Sequence, residues 1–269
     1  MGTSKQAVLE FWNEASCGEA YLDDAGARDK YESAREARYR LEPYIPAFAD
    51  FDACHDEDVL EIGVGMGTDH RRWALAKPQS LFGVDLTPRA IEHTQRQLAH
   101  DNLESDLRVA DAESLPFDDD SFDRVYSWGV LHHSPDTERA FLEVWRVLRP
   151  GGVAKIMIYH SRSVTGCMLW FRYALLAGKP WRSFSEIYDQ HLESPGTKAY
   201  TVEEARELCR NFSSVGIKVQ LNHGELLMGE VGQRHKGLLL TIAKAIWPRS
   251  LIKRFCANHG LYLMITARK

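Results

Sequence analysis

The chain lacks the cysteine pattern of a zinc site or a disulfide framework. Its five cysteines, Cys17, Cys54, Cys167, Cys209 and Cys256, are odd in number and widely spaced, with no C-x-x-C. Free thiols in a reducing cytosol, and hence a cytoplasmic location, are the expectation. No apolar run is long enough to span a bilayer. Residues 1–14 are polar and mixed, so no secretory signal is expected there. The opening "MGTSKQ" puts Gln6 where a myristoylation site needs Ser or Thr. Repeats and low-complexity segments are absent. A basic balance is absent too: the net charge is −5, which argues against nucleic acid as a partner. The segment from Lys236 to Lys269 has seven Lys/Arg and no Asp or Glu, leaving −12 on the rest of the chain.

What remains is ordinary for a soluble α/β protein. The 269 residues are 44% hydrophobic and 26% charged, enough for one large core without disulfides. Residues 4–50 carry apolar positions at helical spacing, as in "YESAREARYRLEPYI", with Pro43 and Pro46 ending that stretch. From there short β-type runs alternate with helical ones: "DVLEIG", "SLFGVDL", "LRVAD", "FDRVYSW" and "VAKIMIYH" are separated by helices near 68–77, 88–99 and 137–148. That alternation predicts βαβ units and a largely parallel sheet covered on both faces. "TVEEARELCRNF" is a capped helix with Thr201 as N-cap and Glu204 at the capping-box position. "VGIKVQL" and "LYLMITAR" are two further strands. The expected layout is one domain, with N-terminal helices over 1–50, a core over 51–160, and the rest of the sheet over 161–269. Helical insertions at about 161–200 and 222–260 complete it.

Three glycines, Gly63, Gly65 and Gly67, stand at alternate positions in "VLEIGVGMGT" at the end of the first strand. A strand that ends in glycines and enters a helix leaves backbone N–H groups open to a nucleotide-like ligand. The bland reading is a tight turn with nothing bound. The dinucleotide fingerprint wants its third glycine where Thr68 stands, so a phosphate-free adenosine ligand suits the spacing better than a pyrophosphate. Glu61 would also suit an ammonium group better. Asp85 ends the second strand, where an acid can take both ribose hydroxyls, or could cap the next helix, a role Thr87 fits better. Asp111 can accept from an adenine amino group beside the small Ala112, or simply make a turn.

At these residues the chain resembles a class I S-adenosylmethionine (SAM) dependent methyltransferase of the small-molecule group, of the methyltransferase domain type 11 kind. "VLEIGVGMGT", "FGVDLTPRAIE", "ADAESLPFDDDSFDRVYSWGVLHH" and "RVLRPGG" follow that family's order and spacing over roughly residues 57–160. The resemblance implies a Rossmann-like, doubly wound, seven-stranded sheet whose last strand runs antiparallel. It places Gly63, Gly65 and Gly67 along the methionine part of SAM, Glu61 near its amino group, Asp85 and Leu86 at the ribose, and Asp111 and Ala112 at the adenine. Ser127, Trp128 and Gly129 would pass the sulfonium side, and "LRPGG" would be a turn into the fifth strand. SAM is the implied cofactor, with S-adenosylhomocysteine as its product and no metal.

Methyl transfer needs an aligned nucleophile and, where that nucleophile starts protonated, a base. His132 and His133 follow the fourth strand in "GVLHHSPD", and Tyr159 and His160 end the fifth. By analogy with related lipid-modifying methyltransferases, His132 faces the acceptor. His160 and Tyr159 are further candidates, and loop packing is the plain alternative for both members of the pair. A metal held by His132, His133 and His160 would need a cluster of acidic ligands, which is missing. Aromatic residues crowd 161–200 and suit either a bulky acceptor or a small separate core. The N-terminal helices, with Cys17, Tyr21, Tyr31 and Arg35, are expected to lid the SAM site. The apolar, basic stretch "GLLLTIAKAIWPRSLIKRF", with Lys244, Arg249, Lys253 and Arg254, fits a peripheral membrane contact, packing on the domain, or a homodimer interface. Pro248 would interrupt it.

The leading functional expectation is methyl transfer to oxygen or nitrogen, with carbon also open, of a bulky natural-product or lipid-like acceptor. The alternatives are a SAM-binding regulatory or scaffold protein and a nicotinamide-dependent oxidoreductase.

Overall fold

The computed structural model describes residues 5–14, 19, 27–228 and 247–269. Cys17, Tyr21 and Lys244 lie outside the described residues, as do residues 229–246 of the expected 222–260 insertion. Three helices precede the sheet: α1 (Lys5–Glu14), α2 (Ala27–Leu41) and α3 (Ile45–Ala49). Pro46 sits in the first turn of α3, where its missing N–H costs nothing, so it opens a helix and does not end one.

The sheet has seven strands: β1 (Asp58–Ile62), β2 (Ser80–Asp85), β3 (Asp106–Val109), β4 (Phe122–Trp128), β5 (Leu148–Tyr159), β6 (Ser214–Gln220) and β7 (Tyr262–Arg268). Their spatial order is β3-β2-β1-β4-β5-β7-β6, with β7 antiparallel to both β5 and β6 and the other pairs parallel. Central β1 and β4 are almost wholly buried, whereas edge strand β3 is mostly exposed, as burial of a parallel sheet on both faces requires. The order reverses between β1 and β4, and that switch point opens a crevice at the carboxyl ends of the strands.

Helices α4 (Thr68–Ala76), α5 (Pro88–His100) and α6 (Thr137–Val147) connect the parallel strands. Thr87 caps α5 by accepting from Ala90 N, and Asp136 caps α6 by accepting from Arg139 N. One face of the sheet packs Leu60, Val125 and Ile156 against Phe141 and Val144 of α6. The other packs Val59 and Tyr126 against Trp73 of α4 and Ile45 of α3.

The residues read as a turn before the fifth strand lie inside it. The ladder pairs Phe122 with Leu148, shifts register, and resumes at Arg124 with Val153. Gly151 adopts φ +84° and donates to Lys269 O, so the Pro-Gly-Gly run forms an irregularity within β5.

The additions stand at the carboxyl edge. After β5 come α7 (Val164–Trp170), a π-turn (Phe171–Leu175) and α8 (Phe184–His191); α9 (Val202–Leu208) then leads to β6. Ser183 with Glu186, and Thr201 with Glu204, form full capping boxes. Leu169, Ala174 and Ile187 make a small core backed by Trp170 and Tyr173, so part of the aromatic crowding is internal packing. Helix α10 (Arg249–Phe255) starts directly after Pro248. Among the described residues, no helix is long and apolar enough to cross a membrane.

Candidate functional site

Gly63, Gly65 and Gly67 all adopt positive φ, +84°, +52° and +78°, a region costly for residues with a Cβ. Their surroundings differ. A Cβ on Gly63 would lie 2.1 Å from Val130 Cγ2, and one on Gly67 would lie 2.9 Å from Thr94 Cα. A Cβ on Gly65 would meet nothing within 4 Å. Gly63 and Gly67 are therefore fixed by packing, while Gly65 turns its bare backbone to open space. Helix α4 follows with Gly67 as a left-handed N-cap and no side-chain cap, so its first N–H groups have no side-chain acceptor.

Asp85 is the anchor of this loop. Its Oδ2 accepts from Gly65 N at 3.1 Å, and its Oδ1 accepts from Thr87 N and Thr87 Oγ1, each at 2.9 Å. Burial pushes the carboxyl above its ordinary range, opposed by the N–H groups of Thr87, Gly65 and Leu86. Leu86 is half-buried beside it. Thr87, and not Asp85, caps α5.

Glu61 lies beneath the loop and is 3% exposed. Its Oε2 is 3.0 Å from His70 Nδ1, and His70 Nε2 is 2.8 Å from Ser105 Oγ. Ser105 gives its one proton to Leu81 O at 2.9 Å, so it accepts from Nε2–H. Burial holds His70 down to about 3, so the ring is neutral and Nδ1 is bare. Burial, reinforced by Asp69, pushes Glu61 well above its usual range. The pair is thus a carboxylic acid donating to a neutral imidazole. Asp69 itself accepts from Arg38 Nη2 (2.5 Å), Tyr39 Oη (3.0 Å) and Tyr126 Oη (2.8 Å), which fastens α2 over α4.

At the far side of the crevice, Asp111 Oδ1 accepts from Glu113 N, and its Oδ2 forms an ion pair with Lys5 Nζ at 2.5 Å. Ala112 is half-buried next to it. Lys5 also pairs with Glu113. Seven residues along α1, the Trp12 ring meets His133 edge-on at 5.3 Å. Helix α1 therefore runs across the carboxyl edge from Asp111 to His133. Tyr31 Oη and Arg35 Nη1 bond His93 and Gln97 of α5, so these two residues hold α2 and do not reach the crevice floor.

The end of β4 supplies the other wall. Ser127 is fully buried and its hydroxyl donates to Ile62 O. Trp128 packs against Tyr44, Phe48 and Tyr262. Gly129 turns with φ +74°.

His132 and His133 then diverge. His133 Nδ1 is 2.8 Å from Ser194 Oγ and 3.2 Å from Thr197 Oγ1, while Nε2 lies 3.5 Å from Glu193 Oε2, in ion-pair range but long for a hydrogen bond. His132 is 0% exposed, and among the described residues neither ring nitrogen has a hydrogen-bond partner. Its ring packs on Tyr159 at 4.0 Å and on His133 at 4.2 Å. Burial, then the neighbouring His133, hold this imidazole well below its ordinary range. Tyr159 Oη donates to Glu193 Oε2 at 2.6 Å. His160 is turned away: its Nδ1 bonds Gly260 O at 3.0 Å, and its backbone bridges to Tyr200. No group of His, Cys, Asp and Glu suited to a metal ion occurs among the described residues.

Several participants escaped the sequence reading. Glu193, Ser194 and Thr197 sit around the Pro195-Gly196 turn, a loop signal that says nothing about where the loop lands. Lys5 lies on a helix with no motif around it, and His70 lies just past the glycine motif, on the helix that follows it.

A methyltransferase domain model matches residues 60–156. The chain is 36% identical to erythromycin 3''-O-methyltransferase of Saccharopolyspora erythraea over 37% of its own length and 34% of that enzyme. It spans between 26% and 50% of the first curated relatives it matches. Among solved structures, phosphoethanolamine N-methyltransferase 2 of Haemonchus contortus, in complex with phosphomonomethylethanolamine and S-adenosylhomocysteine, aligns with a TM-score of 0.58 at 20% identity, over 86% of this chain and 52% of that one. A [4+2]-cyclase, SpnF, aligns with a TM-score of 0.56 at 18% identity over 98% and 92%. These structural likenesses show the fold alone, and the cyclase illustrates that one fold carries different reactions. Residues 60–156 thus carry a methyltransferase domain, related in sequence to curated methyltransferases and set in the fold shared with solved SAM-dependent methyltransferases.

Proposed function

We propose that the protein transfers the methyl group of SAM to an oxygen or nitrogen of a bulky small-molecule acceptor, natural-product or lipid-like, with His132 at the acceptor. The observation that carries this reading is the fully buried His132 ring with two unpartnered nitrogens at the carboxyl end of β4. A buried polar atom without a partner is costly, and a bound acceptor would satisfy it.

The residues of the crevice fit the cofactor. Gly65 leaves open backbone where a ligand can approach. Asp85 is oriented by three donors and can accept from ribose hydroxyls. Glu61 would receive the amino group, and Asp111 with Ala112 the adenine, with Lys5 yielding part of its hold on Asp111. Gly63 and Gly67 shape the loop, and Ser127, Trp128 and Gly129 form the wall. When bound, SAM supplies a methyl carbon activated by its sulfonium.

The remaining work falls to the chain. A neutral His132 takes the acceptor's proton on one ring nitrogen, and packing between Tyr159 and His133 fixes its plane. Ser194 and Thr197 hold His133, and Glu193 holds the Tyr159 hydroxyl. Helix α1 acts as a lid that shuts water out. Oxygen and nitrogen are the acceptor atoms named for the two methyltransferase relatives above. Calorimetric titration with S-adenosylhomocysteine and with NADH tests the cofactor. Binding of the first alone supports the reading, and binding of NADH alone would turn it to oxidoreduction.

A further inference from the structure

Ten large apolar residues are exposed among the described residues, and eight of them are Phe171, Leu175, Leu176, Trp181, Phe184, Met228, Leu251 and Phe255. The other two, Leu75 and Val109, lie apart on α4 and β3. The eight belong to the two additions at the carboxyl edge. Trp181 is 77% exposed and Phe255 70%, far more than burial of an aromatic in a core or cleft would leave.

The two additions are fastened to one loop. Glu225 Oε1 accepts from Thr165 N in the first turn of α7, and its Oε2 accepts from Leu261 N just before β7. Arg249 Nε, at the start of α10, donates to Leu226 O, and Trp247 Nε1 to Glu225 O. The exposed residues of 171–184 and of α10 thus hang from a common anchor beside the end of β7.

Charge sets this surface apart. Residues 161–185 contain Arg162, Arg172, Lys179 and Arg182 and no Asp or Glu; residues 247–261 contain Arg249, Lys253 and Arg254 and again no acid. Lys179, Lys253 and Arg254 form no ion pair with any described residue. The whole chain nevertheless carries −5, so the remainder is strongly acidic. An aromatic tip flanked by unpaired cations is the composition that settles at a lipid headgroup layer. The acidic remainder would be repelled by an anionic surface, which orients the contact.

We infer that the face formed by residues 171–184 and α10 docks peripherally on an anionic lipid bilayer, with Trp181 and Phe255 in the headgroup region and Lys179, Lys253 and Arg254 against lipid phosphates. This contact holds the carboxyl edge of the sheet against the membrane. It is independent of what is methylated.

Flotation of the full-length protein with vesicles tests it, using phosphatidylcholine alone and phosphatidylcholine mixed with phosphatidylglycerol, without SAM. The wild type floats with the anionic vesicles, and the bound fraction falls as salt rises. Each charge reversal in Lys179→Glu and Lys253→Glu weakens binding about fivefold or more, the scale of one basic side chain near an anionic surface. Trp181→Ser with Phe255→Ser weakens it at every salt concentration. Unchanged binding of S-adenosylhomocysteine shows that the variants are folded. Failure of the wild type to float, or flotation indifferent to both kinds of variant, overturns the inference. Self-association that the Trp181 and Phe255 variants dissolve, without flotation, also overturns it and makes the face a protein interface.

Discussion

The peptide N–H of Gly65 donates to Oδ2 of Asp85 across 3.1 Å, so the apex of the glycine loop and the end of β2 move as one unit. Asp85 therefore has two tasks in the proposed site: it shapes the loop and presents lone pairs to a ribose.

Asp85→Ala should lose about 1–3 kcal/mol of S-adenosylhomocysteine binding, the scale of a hydrogen bond to a charged group. Asp85→Asn keeps an acceptor for Thr87 and should lose less. Calorimetry on both variants checks this, and native affinity in the alanine variant would remove Asp85 from the cofactor site.

The glycines should separate folding from binding. Gly63→Ala drives a methyl into Val130 at a positive φ, so a loss of about 2–4 kcal/mol in unfolding free energy is expected from overpacking and left-handed strain together. Gly65→Ala carries only the strain, about 1–2 kcal/mol, but narrows the open side of the loop. Urea unfolding should rank Gly63→Ala as the less stable, while cofactor titration should find Gly65→Ala impaired in folded protein. The reverse ranking in stability would refute this division.

Burial, then Asp69, raise the Glu61 carboxyl well above its ordinary range, which favours its protonated form in the free protein. If it meets the cofactor's ammonium, binding favours the carboxylate and releases a proton. Titrations in two buffers of different ionisation enthalpy should then give different apparent heats near neutral pH. Identical heats would place the ammonium elsewhere.

His70 gives a sign for acid stability. Its folded value, about 3, lies below the unfolded value of 6.5, so the unfolded chain binds the extra proton. Its contribution is complete above pH 6.5 and is lost as pH falls toward 3. Between pH 7.5 and pH 5 the wild type should lose about 2 kcal/mol more than His70→Asn, from a slope near 1.4 kcal/mol per pH unit below 6.5. Parallel unfolding curves for the two proteins would contradict this.

The alternation of strands and helices was legible because period-2 and period-3.6 patterns are local, and so were the caps at Thr87 and Thr201. The sheet order and its antiparallel last strand followed from resemblance, since strand pairing is not written in any short stretch. The Pro150-Gly151-Gly152 irregularity was read as a turn because a positive-φ glycine serves equally in a turn and in a bulge. At the candidate site, Glu61 and Asp85 are proposed from their places at or near strand ends, and His132 from its place after β4 and resemblance to related methyltransferases. The side chains around them were not legible: His70 bonds Glu61, Ser194 and Thr197 bond His133, and Glu193 bonds Tyr159, all through contacts made only on folding, nine to sixty-four residues away in sequence.

The most direct measurement is transfer of labelled methyl from SAM to an extract of small apolar metabolites by the wild type, His132→Ala and His133→Ala, with S-adenosylhomocysteine affinity measured alongside. The wild type should label an extractable product. Because His132 stays neutral well below its ordinary range, that rate should not fall with pH until well under 6.5. His132→Ala should lose about 10²–10⁴-fold in rate, the usual scale of a general base, at nearly native cofactor affinity, while His133→Ala loses chiefly stability through its Ser194 and Thr197 contacts. No labelled product from the wild type, or equal rates for wild type and His132→Ala, would contradict the account.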